Sequence, residues 1–322
     1  MKKIKWGIIG LGKIAGKFAG DLQKVEEAIL YGVASRNMEK AEEFKEEFHA
    51  EKAFGSYEAI LKDEEVDVIY VATPHVYHAE ITKDCLHHGK AVLCEKPFAM
   101  NRSQVEEMIA LAKEKNIFLM EALWTKFLPH FKAVEETIKT GKYGKIKAIK
   151  ADFGFKADYN PEKRLFNKDL GGGSLLDIGI YPVFLAHHFL GMPDSVEAEA
   201  IIGKTGVDER CDIRFHYNNG TSAELFSTLQ EDSGTTAEIE LENGKITMHS
   251  RFHEPTSAQF EIDGKMEIRN YGVTTKGYNF EAEHVTKMLQ QGKKESDIMS
   301  FQDSLELISL LDSIREKIDL QY

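Results

Sequence analysis

A chain of 322 residues is too long for one ordinary small domain and suits two domains with separate cores. With 42% hydrophobic and 29% charged residues its composition is that of a globular protein and not of a disordered one. A formal net charge of -12 repels phosphate backbones, so no nucleic-acid partner is expected, while a local basic cleft for a small anion stays open.

The start of the chain is basic, but the apolar run behind it, Trp6 to Leu11, is too short for a signal-peptide core. No segment approaches the roughly 20 apolar residues that a spanning helix needs. Cys85, Cys94 and Cys211 are odd in number and far apart, as reduced thiols would be. The expectation is a cytoplasmic protein with no membrane partner.

Ile4 to Gly10 reads as a buried strand and Lys13 to Gln23 as a helix. Ile29 to Ser35 and Met38 to Phe48 repeat the pair. Val66 to Ala72 is nearly all apolar and β-branched, as a strand covered on both faces must be. His75 to His88 is helical, Ala91 to Glu95 a strand, Ser103 to Lys115 a helix and Ile117 to Glu121 a strand. Strands alternating with helices imply right-handed crossovers and a doubly wound parallel sheet.

The pattern changes after Trp124. A helix over Pro129 to Thr140 leads to a strand, Ile146 to Phe155, and a second helix covers Ser174 to Leu190. From Ser195 to Asn270 seven alternating strands follow, separated by turn signals such as Asn218-Asn219-Gly220 and Asp263-Gly264. The intervals are too short for crossover helices, so this sheet is expected to be open and mostly antiparallel. Two helices, Phe280 to Gln291 and Phe301 to Ile318, end the chain. The fold class is therefore α/β: a dinucleotide-binding domain over 1–122 and an α+β substrate domain over 123–322.

Gly10-Leu11-Gly12-Lys13-Ile14-Ala15 fits G-x-G-x-x-A between the first strand and the first helix. The first glycine permits a tight turn, the second lets backbone approach a pyrophosphate, and the small third residue allows close packing. The second strand ends in Ser35-Arg36, with no acid before Glu39. A hydroxyl and a forked guanidinium suit a 2′-phosphate, so NADP is expected, with NAD possible. The third strand ends in Ala72-Thr73-Pro74-His75-Val76-Tyr77-His78, placed to line a cofactor beyond the strand ends. His75 and His78 lack a third ligand nearby, so no metal is expected. The fourth strand ends in Glu95-Lys96-Pro97, where a lysine can hold a substrate oxygen and stabilise charge on it.

Gly171-Gly172-Gly173 leads into Ser174, a candidate N-cap, and then Asp177 and Tyr181, four residues apart on one helix face. A phenol beside a lysine cation is a usable proton donor or acceptor, and a carboxylate can orient either one. The alternative is an Asp that caps backbone and a Tyr that packs.

GLGKIAGKFA, VIYVATPHVYH, GKAVLCEKP and GGGSLLDIGIYP, in this order, resemble the glucose-fructose oxidoreductase, inositol dehydrogenase and rhizopine catabolism (Gfo/Idh/MocA) family. Met120-Glu121-Ala122-Leu123-Trp124-Thr125-Lys126-Phe127 is similar to a segment of its dimeric dihydrodiol dehydrogenases and NADP-dependent D-xylose dehydrogenases. Lys126 stands where those enzymes more often have arginine, and it cannot make the same forked contact. The resemblance implies Lys96 and Tyr181 at the reacting oxygen, Asp177 assisting, and Trp124 against the nicotinamide or the substrate. Phe153 and Phe155, on one side of their strand, would wall the pocket.

The expected function is hydride transfer between NADP(H) and a hydroxyl or carbonyl of a sugar, polyol or trans-diol. The alternatives are an inositol or other sugar dehydrogenase of the family and a non-catalytic NAD(P)-sensing regulator. A small molecule is the expected substrate. Covering one face of an open sheet with a second copy gives the expected homodimer.

Overall fold

In the computed structural model residues 2–322 are described; Met1, where the basic start begins, lies outside them. The chain divides into two compact units, residues 1–127 with 274–305, and residues 128–273 with 306–322. The expected cut at 122/123 assigned 274–305 to the second domain, whereas here they pack with the first.

The first unit is built from β1 (Ile4–Ile9), α1 (Lys13–Leu22), β2 (Ala28–Ala34), α2 (Met38–Phe48), β3 (Lys52–Phe54), α3 (Tyr57–Lys62), β4 (Val68–Val71), α4 (His78–His87), β5 (Ala91–Glu95), α5 (Arg102–Lys115) and β6 (Leu119–Ala122). The six strands form a parallel sheet in the order β3-β2-β1-β4-β5-β6. The order reverses between β1 and β4, which opens a crevice at their carboxyl ends. β3 and α3 are absent from the sequence reading, because three and six residues are too few to show a period.

The second unit continues with α6 (Pro129–Lys139), β7 (Ile146–Gly154), a π-helical turn (Leu175–Gly179), α7 (Ile180–Leu190), β8 (Ser195–Ile202), β9 (Asp208–His216), β10 (Ser222–Thr228), β11 (Ala237–Leu241), β12 (Gly244–Met248), β13 (Ala258–Ile262) and β14 (Lys265–Arg269). Its eight strands run β14-β13-β12-β11-β7-β10-β9-β8. Every pair is antiparallel except β7 with β10. The β13–β14 hairpin turns on Asp263 and Gly264, both at positive φ (51° and 73°), as an Asp-Gly turn allows. α7 covers one face of the central strands. The other face is a groove lined by charges of both signs, among them Lys150, Glu199, Arg214 and Glu224.

α8 (Tyr278–Gln290) and α9 (Phe301–Lys317) end the chain. α8 belongs to the first unit because Asp21 of α1, buried, accepts hydrogen bonds from the N–H groups of Lys276 (3.1 Å) and Tyr278 (2.9 Å). That carboxylate satisfies the first open donor of the helix, the Tyr278 N–H, and also holds the Lys276 N–H just before the cap. Nearby, the Trp6 indole N–H donates to Thr286 at 3.2 Å and Phe18 stacks on Tyr70 at 3.8 Å. Among the described residues no helix is long and apolar enough to cross a membrane.

Candidate active site

In the first unit the glycine turn holds because nothing larger fits. Gly10 has φ +92°, and a Cβ there would stand 2.6 Å from the Ala72 carbonyl carbon and 2.7 Å from the Thr73 nitrogen. A Cβ on Gly12 would meet nothing within 4 Å. Gly12 is thus an open N-cap to α1, with no side-chain cap bond and no acidic residue in the first turn. Bare N–H groups facing open space are what a pyrophosphate requires. Lys13 and Ile14 are exposed in this first turn, and Leu11 is buried under it. The Thr73 hydroxyl, beside the turn, is buried with no hydrogen-bond partner among the described residues. These features fit a dinucleotide.

At the end of β2 the Ser35 hydroxyl accepts the Asn37 N–H at 3.1 Å. Arg36 is exposed, and no hydrogen bond or ion pair engages it among the described residues. Its guanidinium stands ready for an anion.

Lys96 follows β5 in a turn braced from three sides, and the Lys96–Pro97 peptide is cis. His78 is fully buried, with one ring nitrogen 2.8 Å from the Pro97 carbonyl oxygen and the other 2.8 Å from that of Thr73. It ties the segments that follow β4 and β5 together. Glu121 of β6 accepts the Phe98 N–H at 3.0 Å, and burial pushes its carboxyl up to about 7. Glu95 accepts the Tyr70 phenol on one oxygen and the Lys96 N–H, at 3.2 Å, on the other. Glu281 of α8 is fully buried, with neither oxygen hydrogen-bonded among the described residues. Burial, and then the charge of Glu95, raise it far above the usual carboxylate range.

Trp124 is buried with one face stacked on Tyr278, centroids 4.3 Å apart and planes 6° from parallel. Lys126, where an arginine was the pattern, is buried and pairs with Asp303 at 3.1 Å.

In the second unit Asp177 lies in the π-helical turn and Tyr181 in the first turn of α7. π-turns inside helices are frequent at functional sites. Ser174 does not cap this helix, contrary to expectation: its backbone is already helical and its hydroxyl donates to Asp208 at 2.7 Å. The capping acceptor is Asp208 itself, which takes the Leu175 N–H at 2.7 Å from the neighbouring β9. Gly173, at φ +118°, leaves it room, since a Cβ there would lie 2.1 Å from an Asp208 oxygen. Asp177 pairs with Arg164 at 2.7 Å. Phe153 lies 5.8 Å from the Tyr181 ring and 6.4 Å from Phe155, which brings these three rings of the second unit together.

The sequence reading missed Arg164, Asp208 and His253. His253 stacks on Phe153 at 4.2 Å and meets Tyr181 at 4.8 Å. None of the three sits in a motif, so no local signal marks them. The three cysteines are buried and free, and burial raises each thiol, which disfavours the reactive thiolate.

A parallel sheet with a bare, glycine-lined helix start at its switch point, followed by an antiparallel-sheet unit, defines a dinucleotide-dependent oxidoreductase of two-unit design. Residues 4–123 match the oxidoreductase family with an NAD-binding Rossmann fold, and residues 131–247 match the C-terminal domain of the same family. The chain belongs to the Gfo/Idh/MocA oxidoreductase family. It is 38% identical to a trans-1,2-dihydrobenzene-1,2-diol dehydrogenase of Xenopus tropicalis over 99% of both chains. A 3-ketoreductase from Actinomadura kijaniata, solved with NADP and TDP-benzene, superposes with a TM-score of 0.86 at 27% identity, covering 98% of each chain. An aldose-aldose oxidoreductase from Caulobacter crescentus, solved with glycerol, shares the fold, with a TM-score of 0.90 at 24% identity over 99% of this chain and 98% of the other.

Proposed function

We propose that this oxidoreductase uses NADP to interconvert a CH–OH group and a carbonyl on a sugar, polyol or trans-diol. The observation that carries the reading is Lys96, set at the end of β5 in a turn that His78, Glu121 and Glu95 hold in place. A diol dehydrogenase and an NADP-bound ketoreductase among the relatives support the same class.

The pyrophosphate falls to the backbone of Gly10 to Ile14, and the 2′-phosphate to Ser35 and Arg36. Ala72 to Pro74 and Trp124 complete the cofactor side. Bound NADP accepts or supplies the hydride. In the direction of oxidation Tyr181 takes the hydroxyl proton of the substrate while the Lys96 ammonium stabilises the negative charge left on the oxygen. The substrate carbon gives up its hydrogen with two electrons, and a carbonyl product and one proton result. Asp177, fixed by Arg164, orients the substrate hydroxyl, and Phe153 and Phe155 supply the apolar wall.

The open, charged face of the eight-stranded sheet supports a homodimer, because charges of both signs can pair across a two-fold axis. Buried free thiols support a cytoplasmic setting.

The test is Lys96→Ala. Turnover should fall by about three orders of magnitude, in the range for loss of a charge-stabilising group, while NADPH binding, read by fluorescence, stays within a few-fold. Turnover that survives the substitution would overturn the assignment. Tight NADPH binding with no turnover on aldoses, polyols or diols would point to a non-catalytic sensor.

A further inference from the structure

Asp177 is paired with Arg164, and the loop that carries Arg164 is held from outside itself. Two short helical turns, Arg164–Phe166 and Lys168–Leu170, lead into Gly171-Gly172-Gly173. The loop closes where the Gly172 N–H donates to the Asn167 carbonyl oxygen and the Gly173 N–H to that of Leu165, both at 2.9 Å. Carbonyl oxygens crowd Gly172: a Cβ there would stand 2.4 Å from that of Arg164 and 2.8 Å from those of Leu165 and Asn167. In backbone packed this closely a shift of Gly172 is passed on to Arg164, whose guanidinium meets Asp177 at 2.7 Å.

The outer hold is on the Gly172 carbonyl oxygen, which accepts the Tyr322 phenol. The chain turns back to reach it. Asp319, just after α9, holds φ +52°, a left-handed conformation that a non-glycine residue adopts at a cost. The Leu320 N–H donates to the Arg315 carbonyl oxygen at 2.9 Å, and the Leu320 side chain is buried. The Arg315 guanidinium, paired with Asp312, lies 5.5 Å from the centre of the Tyr322 ring. Burial, and then the charge of Asp208, raise the phenol well above its ordinary value, so it keeps its proton and stays a donor. Leu320 anchors this segment by burial, which leaves the Tyr322 hydroxyl to act on the loop.

We propose that Tyr322 is a positioning residue for Asp177: its phenol pins the Gly172 carbonyl, Gly172 sets the loop, and the loop aims Arg164 at the carboxylate. This rests on the reading of Asp177 as the group that orients the substrate hydroxyl.

The test does not need a known substrate. In protein carrying 15N-labelled arginine, the Arg164 side-chain resonances are assigned by their loss in Arg164→Gln. The ion pair with Asp177 slows rotation of the guanidinium about its Nε–Cζ bond, and Asp177→Asn gives the rate with that pair removed. Tyr322→Phe keeps the ring and removes only the donor. Rotation of Arg164 should quicken about tenfold in this variant and in Tyr322→Leu, in the range for one hydrogen bond lost from a buried carbonyl. A merely structural role would lower the melting temperature and leave the rotation as in the wild type. Unchanged rotation in folded Tyr322→Phe overturns the proposal, as does loss of folding in both variants, which would make Tyr322 a structural residue. Failure of the underlying reading has a separate signature: full turnover in Asp177→Asn.

Discussion

Replacing Asp208 by asparagine should make the second unit more stable at neutral pH and leave it little changed in acid. Asp208 is fully buried on β9; one oxygen takes the Leu175 N–H and the Ser174 hydroxyl, and the other has no partner among the described residues. Burial pushes its carboxyl from an ordinary 3.8 up to about 6, against the pull of those hydrogen bonds. The folded state thus holds the proton more tightly than the unfolded chain. Folding is favoured fully below about pH 4, and stability is lost as pH rises through about 6. At about 1.36 kcal/mol for each tenfold change in proton affinity, the ionised carboxylate costs the fold on the order of 3 kcal/mol at pH 7 and above. Asparagine keeps a carbonyl oxygen for the Leu175 N–H and cannot ionise. Melting curves of wild type and Asp208→Asn, at pH 4.5 and at pH 7.5, isolate the effect, because other groups titrate alike in both. The variant should gain about 5 °C on the wild type between the two pH values. An equal difference at both pH values would refute the reasoning.

Gly10→Ala should lower stability by about 2 kcal/mol or more and abolish NADPH binding, since its Cβ meets backbone at 2.6 Å and φ is +92°; urea unfolding and fluorescence titration check both. Arg36→Glu should weaken NADPH at least tenfold and leave NADH within about threefold, as calorimetry can show, because a fixed cation is replaced by an anion beside the expected 2′-phosphate. Glu281→Met should raise stability by about 1 kcal/mol or more at pH 8, because it removes a buried carboxyl that has no hydrogen bond among the described residues; a loss in the melting temperature would contradict that.

The fold was legible where local periodicity is long and unmixed. The run from Val66 to Ala72 could only be a strand covered on both faces, and the Asp263-Gly264 hairpin follows from two residues that tolerate positive φ. What escaped was set by distance along the chain. Asp21 holds the start of α8 from 255 and 257 residues away, and that contact, which no window over the sequence displays, ties α8 to the first unit. In the candidate site, the glycine turn is a local motif whose chemistry follows from its spacing, and the Glu95-Lys96-Pro97 step is a local one whose role the family resemblance implies. Asp208, Arg164 and His253 act through partners brought by other elements, and an isolated Asp, Arg or His in sequence is uninformative. Ser174 shows the reverse case: a serine before a helix is a good cap on average, but here an aspartate on a neighbouring strand supplies the acceptor.

The most direct test of the whole account is a substrate panel of aldoses, polyols and trans-dihydrodiols, assayed with NADP and NAD in parallel at the absorbance band of the reduced nicotinamide. The account requires turnover of at least one CH–OH substrate, faster with NADP than with NAD, and lost in Lys96→Ala. Turnover with a clear preference for NAD would contradict the role given to Ser35 and Arg36, and activity retained without Lys96 would contradict the reaction centre itself.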